Sequence, residues 1–325
     1  MKKKIALITG ITGQDGAYLS KLLLEKDYKI FGFVRSNDDY SKLEFLKIKE
    51  KIIFVQVDLL NFDAVKSNID KIKSDEIYNF AAQSSVGLSY KEPYNTINFN
   101  FNSTLNLLET IRISNLKIKM FQASSSEMYG KQENLPITED SKFNPLNPYA
   151  MSKALSHQIC EQYRNTYNLY VSCGIMFNHE SVLRGDNFFV KKVIRESLEI
   201  KNGKREFLVV GNLNTKRDFG FAPEYVKAMW LMLQQDRADD FVIASGQSIS
   251  LQDIVYYVFD KLEISRDKIK VDKSLLRPVE VEDSYGDASK AKRVLGWEYE
   301  INFYQVLDLL MEEELIRSNS KNKTI

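Results

Sequence analysis

The chain reads as an α/β protein: a Rossmann-type doubly wound parallel sheet with a smaller C-terminal substrate-binding domain. Three observations predict this. Short apolar runs alternate with segments of helical spacing through the first half. A glycine triplet, Gly10, Gly13 and Gly16, follows the first of those runs directly. The second half is less regular, yet 325 residues suffice for a second core.

The elements follow in order. Residues 4–9 form an apolar run that reads as a buried strand. Residues 14–26 carry Tyr18, Leu19, Leu22 and Leu23 at helical spacing. Residues 29–34 and 52–57 read as strands, 62–72 as a helix and 76–80 as a strand. Leu105, Leu108 and Ile111 mark a helix over 96–114. A strand at 119–123, a helix at 149–167 and a strand at 169–177 complete the alternation. Beyond it, 189–200, 223–233 and 251–262 look helical and 241–245 like one more strand; the polar end, 319–325, reads as frayed. Residues 1–180, with a return segment at 213–246, are expected to form the dinucleotide-binding domain, and 181–325 most of the substrate-binding domain.

Composition excludes several classes. Hydrophobic residues at 44% and charged residues at 27% are ordinary for a soluble globular protein. A formal net charge of +1 gives no field to draw in nucleic acid or membrane, and neither is expected as a partner. No apolar stretch approaches the ~18 residues of a membrane span. The run at 5–8 is too short for a signal peptide. Cys160 and Cys173 lie in apolar surroundings, which predicts buried free thiols and a reducing cytoplasm. With His157 and His179 as the other soft ligands, a zinc site is poorly supplied and no metal is expected.

The glycines form G-x-x-G-x-x-G between a strand and a helix. The first permits the tight turn, the second lets the backbone approach a pyrophosphate, and the third lets helix and strand pack closely. The helix start then offers unpaired N–H groups to phosphate. A dinucleotide fold places a ribose ligand about 20 residues further on. Arg35 stands there, which favours the 2′-phosphate of NADP, with NAD as the alternative; Asp38 and Asp39 follow closely. Asp58, after the third strand, meets the adenine edge or caps a helix.

The chemistry gathers in "ASSSEMYGK", residues 123–131, and "NPYAMSKAL", residues 147–155. Tyr149 and Lys153 lie four apart on one helix face, where an ammonium favours the phenolate and lowers the tyrosine pKa. Tyr257 and Lys261 have the same spacing but lack that company. Ser125 ends a parallel strand on the side where such sheets bind ligands. Glu127 is either a second proton-transfer group or a solvated turn carboxylate.

Together, the glycine motif, "FAAQSS" at 80–85, Ser125 and Tyr149/Lys153 resemble the extended short-chain dehydrogenase/reductase family. "GITGQDGAYL", "FQASSSEMYG", "NPYAMSK", "FNHES", "GNLNTKRDFGFAPEYVKAMWLMLQ" and "LLRPVEVEDSYGDASKAKRVLGW" are similar to the GDP-mannose 4,6-dehydratase family within it, to about Leu310. The resemblance implies an NADP(H)-dependent hydro-lyase acting on a GDP-sugar, GDP-mannose above all. Its alternatives are a GDP-heptose, a GDP-linked N-acetylglucosamine, or 4-reductase and epimerase chemistry. It implies that Ser125, Glu127, Tyr149 and Lys153 are catalytic, with Glu127 taking the C5 proton. It implies cofactor contacts from Thr12, Gln14 and Asp15 in the glycine loop, from Leu59, and from Ala81, Ala82, Gln83 and Ser84. His179 and Arg184 match cofactor-contacting positions, although a lone histidine also fits a satisfied core. Ser85, Ser126, Asn178, Asn187, Arg217, Arg277 and Glu280, with Ser125 and Glu127, match substrate-binding positions; Arg217 has an alternative in Asp218. The resemblance also implies a homodimer or homotetramer. The chain departs from it after the second strand, where Arg35-Ser36-Asn37-Asp38-Asp39 replaces Arg-Arg-Ser-Ser and a longer loop. Asn95 stands for a tyrosine and Ser85 for a histidine.

Overall fold

The computed structural model describes residues 3–276 and 279–321. The strands are β1 (Ile5–Thr9), β2 (Lys29–Val34), β3 (Ile52–Gln56), β4 (Glu76–Asn79), β5 (Lys119–Ser125), β6 (Val171–Met176), β7 (Asn178–Glu180), β8 (Leu208–Val210), β9 (Lys216–Phe221), β10 (Phe241–Ile243), β11 (Ser248–Ser250) and β12 (Ile269–Val271). The α-helices are α1 (Gln14–Glu25), α2 (Ser41–Phe45), α3 (Phe62–Ile72), α4 (Val86–Lys91), α5 (Pro93–Ile113), α6 (Pro148–Tyr167), α7 (Phe189–Lys201), α8 (Ala222–Gln234), α9 (Leu251–Lys261), α10 (Ser289–Leu295) and α11 (Phe303–Lys321).

Seven strands form one sheet in the order β10-β6-β5-β4-β1-β2-β3. Every neighbouring pair is parallel. These are the seven strands read from the apolar runs. Parallel strands need crossovers, and the helices that supply them cover both faces. Alternation along each strand divides the core. Ala6, Ile8, Tyr78 and Phe121 pack on one face with Leu19 and Leu23 of α1 and Val226 and Met229 of α8. Leu7, Ile77 and Met120 face the other side, against Val65 and Ile69 of α3, Leu107 and Leu108 of α5, and Cys160 of α6. Cys160 and Cys173 are free and buried, as their apolar setting predicts. No helix among the described residues is long and apolar enough to cross a membrane.

The chain order reverses between β1 and β4, opening a crevice at their carboxyl ends. Three polar side chains fasten those ends together. Thr9 donates its hydroxyl to Asn79 at 2.5 Å, and Asn79 donates to Gln122 of β5 at 2.7 Å. The backbone N–H of Ala81 then donates to the Thr9 hydroxyl at 3.2 Å, turning the loop after β4 toward β1.

The second half builds two small sheets, β11-β9-β7 and β12-β8, around a separate apolar cluster. Val193 and Ile194 of α7, Val255 and Val258 of α9, and Val306, Leu307 and Leu310 of α11 fill it. β7 and β9 fall in the stretches expected to join the dinucleotide half, yet they pair with each other in a small sheet. Three-residue strands carry too little alternation to be read from sequence, so β7, β8, β11 and β12 were not anticipated. Of the tail, residues 319–321 continue α11 and the rest lie outside the described residues.

Candidate active site

A cleft of about 1240 Å³ lies at the carboxyl ends of the strands and reaches into the second half. Its floor is the turn from β1 to α1. Gly10 has φ of +64°, and a Cβ there would lie 2.8 Å from the backbone nitrogen of Ala81. A Cβ on Gly16 would lie 2.6 Å from both the Gly10 carbonyl oxygen and Ile11 Cα. Gly13 is the N-cap of α1, and no side chain caps that end. The first-turn amides therefore face the cleft unmet by a side chain, as a phosphate requires. Thr12, Gln14 and Asp15 line the cleft beside them. Gly16→Ala forces two backbone segments apart. We expect it to cost about 1–3 kcal/mol in urea denaturation and to weaken dinucleotide binding in titration.

β7 closes over this turn. His179 sets Nδ1 against the Phe177 carbonyl oxygen at 2.7 Å and Nε2 against an Asp15 oxygen at 2.9 Å. Both ring nitrogens face acceptors, so the ring holds two protons. Burial opposes that charge, but the Asp15 carboxylate outweighs it and the His179 pKa is raised. Burial likewise opposes the Asp15 charge, yet His179 holds that carboxyl below its ordinary value. Gln14 donates to the His179 carbonyl at 3.1 Å and accepts from the Ser181 hydroxyl at 2.7 Å. Arg184 lies over the Phe188 ring, its guanidinium carbon 3.7 Å from the centroid, and lines the same wall.

The adenosine end follows β2 and β3. Arg35 is largely exposed and donates through Nε to Asp38 at 3.3 Å. Lys42 of α2 lines the cleft beside it, a second cation that the sequence reading missed. Asp58 and Leu59 line the cleft, and Asp58 accepts from the Leu60 N–H at 2.9 Å. Asp58 is not the helix cap: Asn61 caps α3 through the Ala64 N–H at 3.0 Å. Ala81, Ala82, Gln83, Ser84 and Ser85 form the facing wall. Ser85 also caps α4 through the Leu88 N–H.

The reactive groups meet where β5 ends. Ser125, Glu127, Tyr149 and Lys153 all line the cleft. Pro148 opens α6, and Asn147 caps it with its side-chain oxygen on the Ala150 N–H at 2.8 Å. That start places Tyr149 in the first turn and Lys153 one turn on, on the same face. The Ser125 hydroxyl accepts the Glu127 N–H at 3.2 Å. The Asn147 amide donates to Glu127 Oε2 at 3.2 Å.

One expectation fails here. Lys153 was expected to lower the Tyr149 pKa, but burial raises it to about 12 against the pull of Ser125, with the Glu127 charge adding to the rise. Lys153 gives its ammonium to the Ala123 carbonyl at 2.8 Å and stands 5.9 Å from the centre of the tyrosine ring. Burial also pushes Lys153 down to about 8, against the Asp15 charge. Spacing along a helix sets the face that two residues share, not the atom that the longer one bonds. The Tyr257/Lys261 pair, by contrast, holds Asp308 of α11 and stays off the cleft.

Asn178, Asn187, Phe189, Lys192, Gly211 and Leu275 line the far end, and Asn95, in the first turn of α5, also lines the cleft. Three expected substrate residues are not among the lining. Ser126 opens the 3₁₀ turn that follows β5, between the lining residues Ser125 and Glu127. Arg217 donates to the carbonyls of Lys216 and Val281, each at 2.7 Å. The alternative partner, Asp218, is buried and accepts from Ser245, Gly246 and Gly286. Glu280 accepts from the Asn212 amide. Arg277 lies outside the described residues.

His157, Cys173 and Asp240 place three ligand-type atoms within 4.8 Å of one another. The sequence reading did not bring them together. Arg164 holds both Asp240 oxygens at 2.7 and 2.6 Å, and His157 Nδ1 faces the Ser124 hydroxyl at 2.9 Å. Burial pushes the Cys173 thiol well up, against a thiolate ligand. The cluster reads as an ion-pair network under the sheet. Asn147 and Lys192 were also missed. The signal for Asn147 was its place before Pro148, a helix start whose cap has a spare amide. Lys192 sits among the further charges of α7, Lys191, Arg195, Glu196, Glu199 and Lys201, so nothing in the sequence singled it out.

A model of the GDP-mannose 4,6 dehydratase family matches residues 7–310. The chain is 40% identical over 326 residues to GDP-mannose 4,6 dehydratase 1 of Arabidopsis thaliana, covering 96% of this chain and 90% of that one. It is 37% identical over 347 residues to GDP-mannose 4,6 dehydratase of Homo sapiens, covering 98% and 93%. Among solved structures, the fold is similar to dTDP-glucose 4,6-dehydratase from Bacillus anthracis in complex with NAD. The TM-score there is 0.83 at 22% identity, covering 95% of this chain and 96% of that one. UDP-glucose 4-epimerase from Thermotoga maritima gives a TM-score of 0.85 at 20% identity, covering 95% and 97%. On the family match and on these identities over nearly its whole length, the chain belongs to the GDP-mannose 4,6-dehydratase family.

Proposed function

We propose that this protein converts GDP-mannose to its 4-keto-6-deoxy product with NADP as a recycled cofactor. The observation that carries the reading is Glu127 in the same cleft as Ser125, Tyr149 and Lys153. A 4-reductase or 4-epimerase uses the tyrosine and lysine and leaves that carboxylate without a task.

The glycine turn, the uncapped start of α1 and the His179–Asp15 pair fit a dinucleotide pyrophosphate in charge and space. When bound, a nicotinamide dinucleotide supplies the acceptor for the C4 hydride, its return to C6, and a positive charge that favours the Tyr149 phenolate. Tyr149 takes the proton of the sugar O4 hydroxyl, and Ser125 holds that oxygen and the phenol together. The new C4 carbonyl acidifies C5. Glu127 takes the C5 proton, the C–H pair passing toward the carbonyl. The C6–O bond then breaks, and Glu127 returns its proton to the departing hydroxyl as water. Tyr149 gives back its proton at C5, so the residues end as they began. We assign the diphosphate and nucleoside to the far end, beside Asn178, Asn187 and Lys192, and propose Arg217, Arg277 and Glu280 as further contacts to it.

We place residues 1–180 and the return segment at 213–246 in the cofactor half and most of 181–325 in the substrate half. The free thiols suit the cytoplasm. Exposed Tyr94 on α5, with Met151 and Leu155 on α6, suits association with a second copy, as a dimer or a tetramer.

The test is incubation of pure protein with NADP and a panel of GDP-sugars, read by NMR for a 4-keto-6-deoxy product. We expect product from GDP-mannose with no net change in NADPH. Product only from another GDP-sugar moves the substrate, and net NADPH consumption points to a reductase. Arg35→Ala should raise the Kd for NADP about fivefold and leave that for NAD nearly unchanged in titration, because Arg35 is exposed and shares its charge with Asp38. Equal effects on both cofactors would remove the 2′-phosphate role.

A further inference from the structure

We infer that Asn147 is a positioning residue for Glu127 and fixes the carboxylate that removes the C5 proton; this rests on the dehydratase reading above. One amide does two jobs. Its oxygen accepts the Ala150 N–H at 2.8 Å and caps α6. An N–H can only meet an oxygen, so the NH₂ group points the other way, to Glu127 Oε2 at 3.2 Å. The orientation of the amide is thus set by chemistry.

The backbone holds the residue in place. Pro148 follows and disfavours a helical Asn147, which sits extended at φ −150° and ψ 163°. Its carbonyl accepts the Met151 N–H at 2.9 Å. Glu127 itself belongs to a single 3₁₀ turn, Ser126–Tyr129, anchored through its N–H to Ser125. Its flexible side chain takes its orientation from the Asn147 bond. The same residue starts the helix that carries Tyr149. Asn147 therefore sets the spacing of the two proton-transfer groups that flank the hexose, one at O4 and one at C5.

Capping alone is the competing account, and the two separate by substitution. Serine caps as well as asparagine but offers no second donor that reaches Glu127. Aspartate also caps but sets a like charge against it. Asn147→Ser should fold with unchanged thermal stability, keep its KM for the GDP-sugar and lose about tenfold in kcat. The loss should fall on proton removal, so the isotope effect with a C5-deuterated substrate rises. Asn147→Asp should lose more. In a Glu127→Gln background, Asn147→Ser should change the residual rate less than twofold, because the positioned carboxylate is already gone. A crystal structure of Asn147→Ser should show Glu127 in a different or mixed rotamer. Wild-type kcat in Asn147→Ser, or an equal loss in both backgrounds, overturns the inference. If the wild-type protein dehydrates no GDP-sugar, the functional reading fails; the crystal structure then decides on Asn147, and an unmoved Glu127 sinks it.

Discussion

Glu127→Gln should release 4-keto product at least about a hundredfold more slowly than the wild-type enzyme while still oxidising C4. A positioned proton-transfer group contributes about 10²–10⁴ in rate. The amide has the same shape, and its oxygen still accepts from Asn147, so the site keeps its geometry. It cannot take a proton from C5. Oxidation at C4 uses Tyr149, Ser125 and Lys153, which the substitution leaves alone. Rapid mixing with GDP-mannose should therefore show reduced cofactor building up and persisting instead of staying at a low steady level. KM and the unfolding midpoint should hardly move, since a partly exposed isosteric change costs within about 0.5 kcal/mol. Wild-type turnover in Glu127→Gln would return the carboxylate to the role of a turn residue.

Lys153→Met should make the protein more stable at pH 7 and nearly inactive. Burial holds Lys153 near 8, below its ordinary 10.5. The folded state thus binds fewer protons than the unfolded chain between those values, and stability rises with pH across them. Below about 8 the whole penalty of the buried ammonium is present. Its removal returns about 3 kcal/mol at 1.36 kcal/mol per unit, less about 1 kcal/mol for the bond to Ala123. A net gain of about 2 kcal/mol at pH 7 should show in urea denaturation and vanish above pH 10.5. The kcat should fall by about a hundredfold or more. In the wild type, kcat should decline as pH rises past about 8, where the ammonium beside Tyr149 discharges. A Lys153→Met protein less stable than wild type at pH 7 would contradict this account of the buried charge.

Much of this was legible in the residues, and the limits have physical causes. The inner strands of the large sheet are buried on both faces, so Ile5–Thr9 or Val171–Met176 stands out as an apolar run. The glycine turn was legible because backbone approaches Gly10 and Gly16 too closely for any side chain. Ser125, Tyr149 and Lys153 followed from strand end and helix start. Glu127 came from a resemblance, since a carboxylate in a turn has no periodicity to mark it. The small sheets were hidden because four of their five strands have only three residues, and the fifth, β9, begins Lys216-Arg217-Asp218 with no apolar alternation. The Tyr149 pKa was misjudged because the Lys153 ammonium chose a carbonyl that no local spacing reveals. Asn147 escaped notice because a cap is a local signal, while its second partner lies 20 residues away in sequence.

GDP-mannose carrying deuterium at C4 gives the most direct test of a redox-neutral dehydration in which Tyr149 and Glu127 divide the proton transfers. After full turnover with unlabelled NADP, mass spectrometry and NMR should find the deuterium at C6 of the same sugar. Label left in the cofactor, or replaced at C6 by solvent hydrogen, would contradict the account.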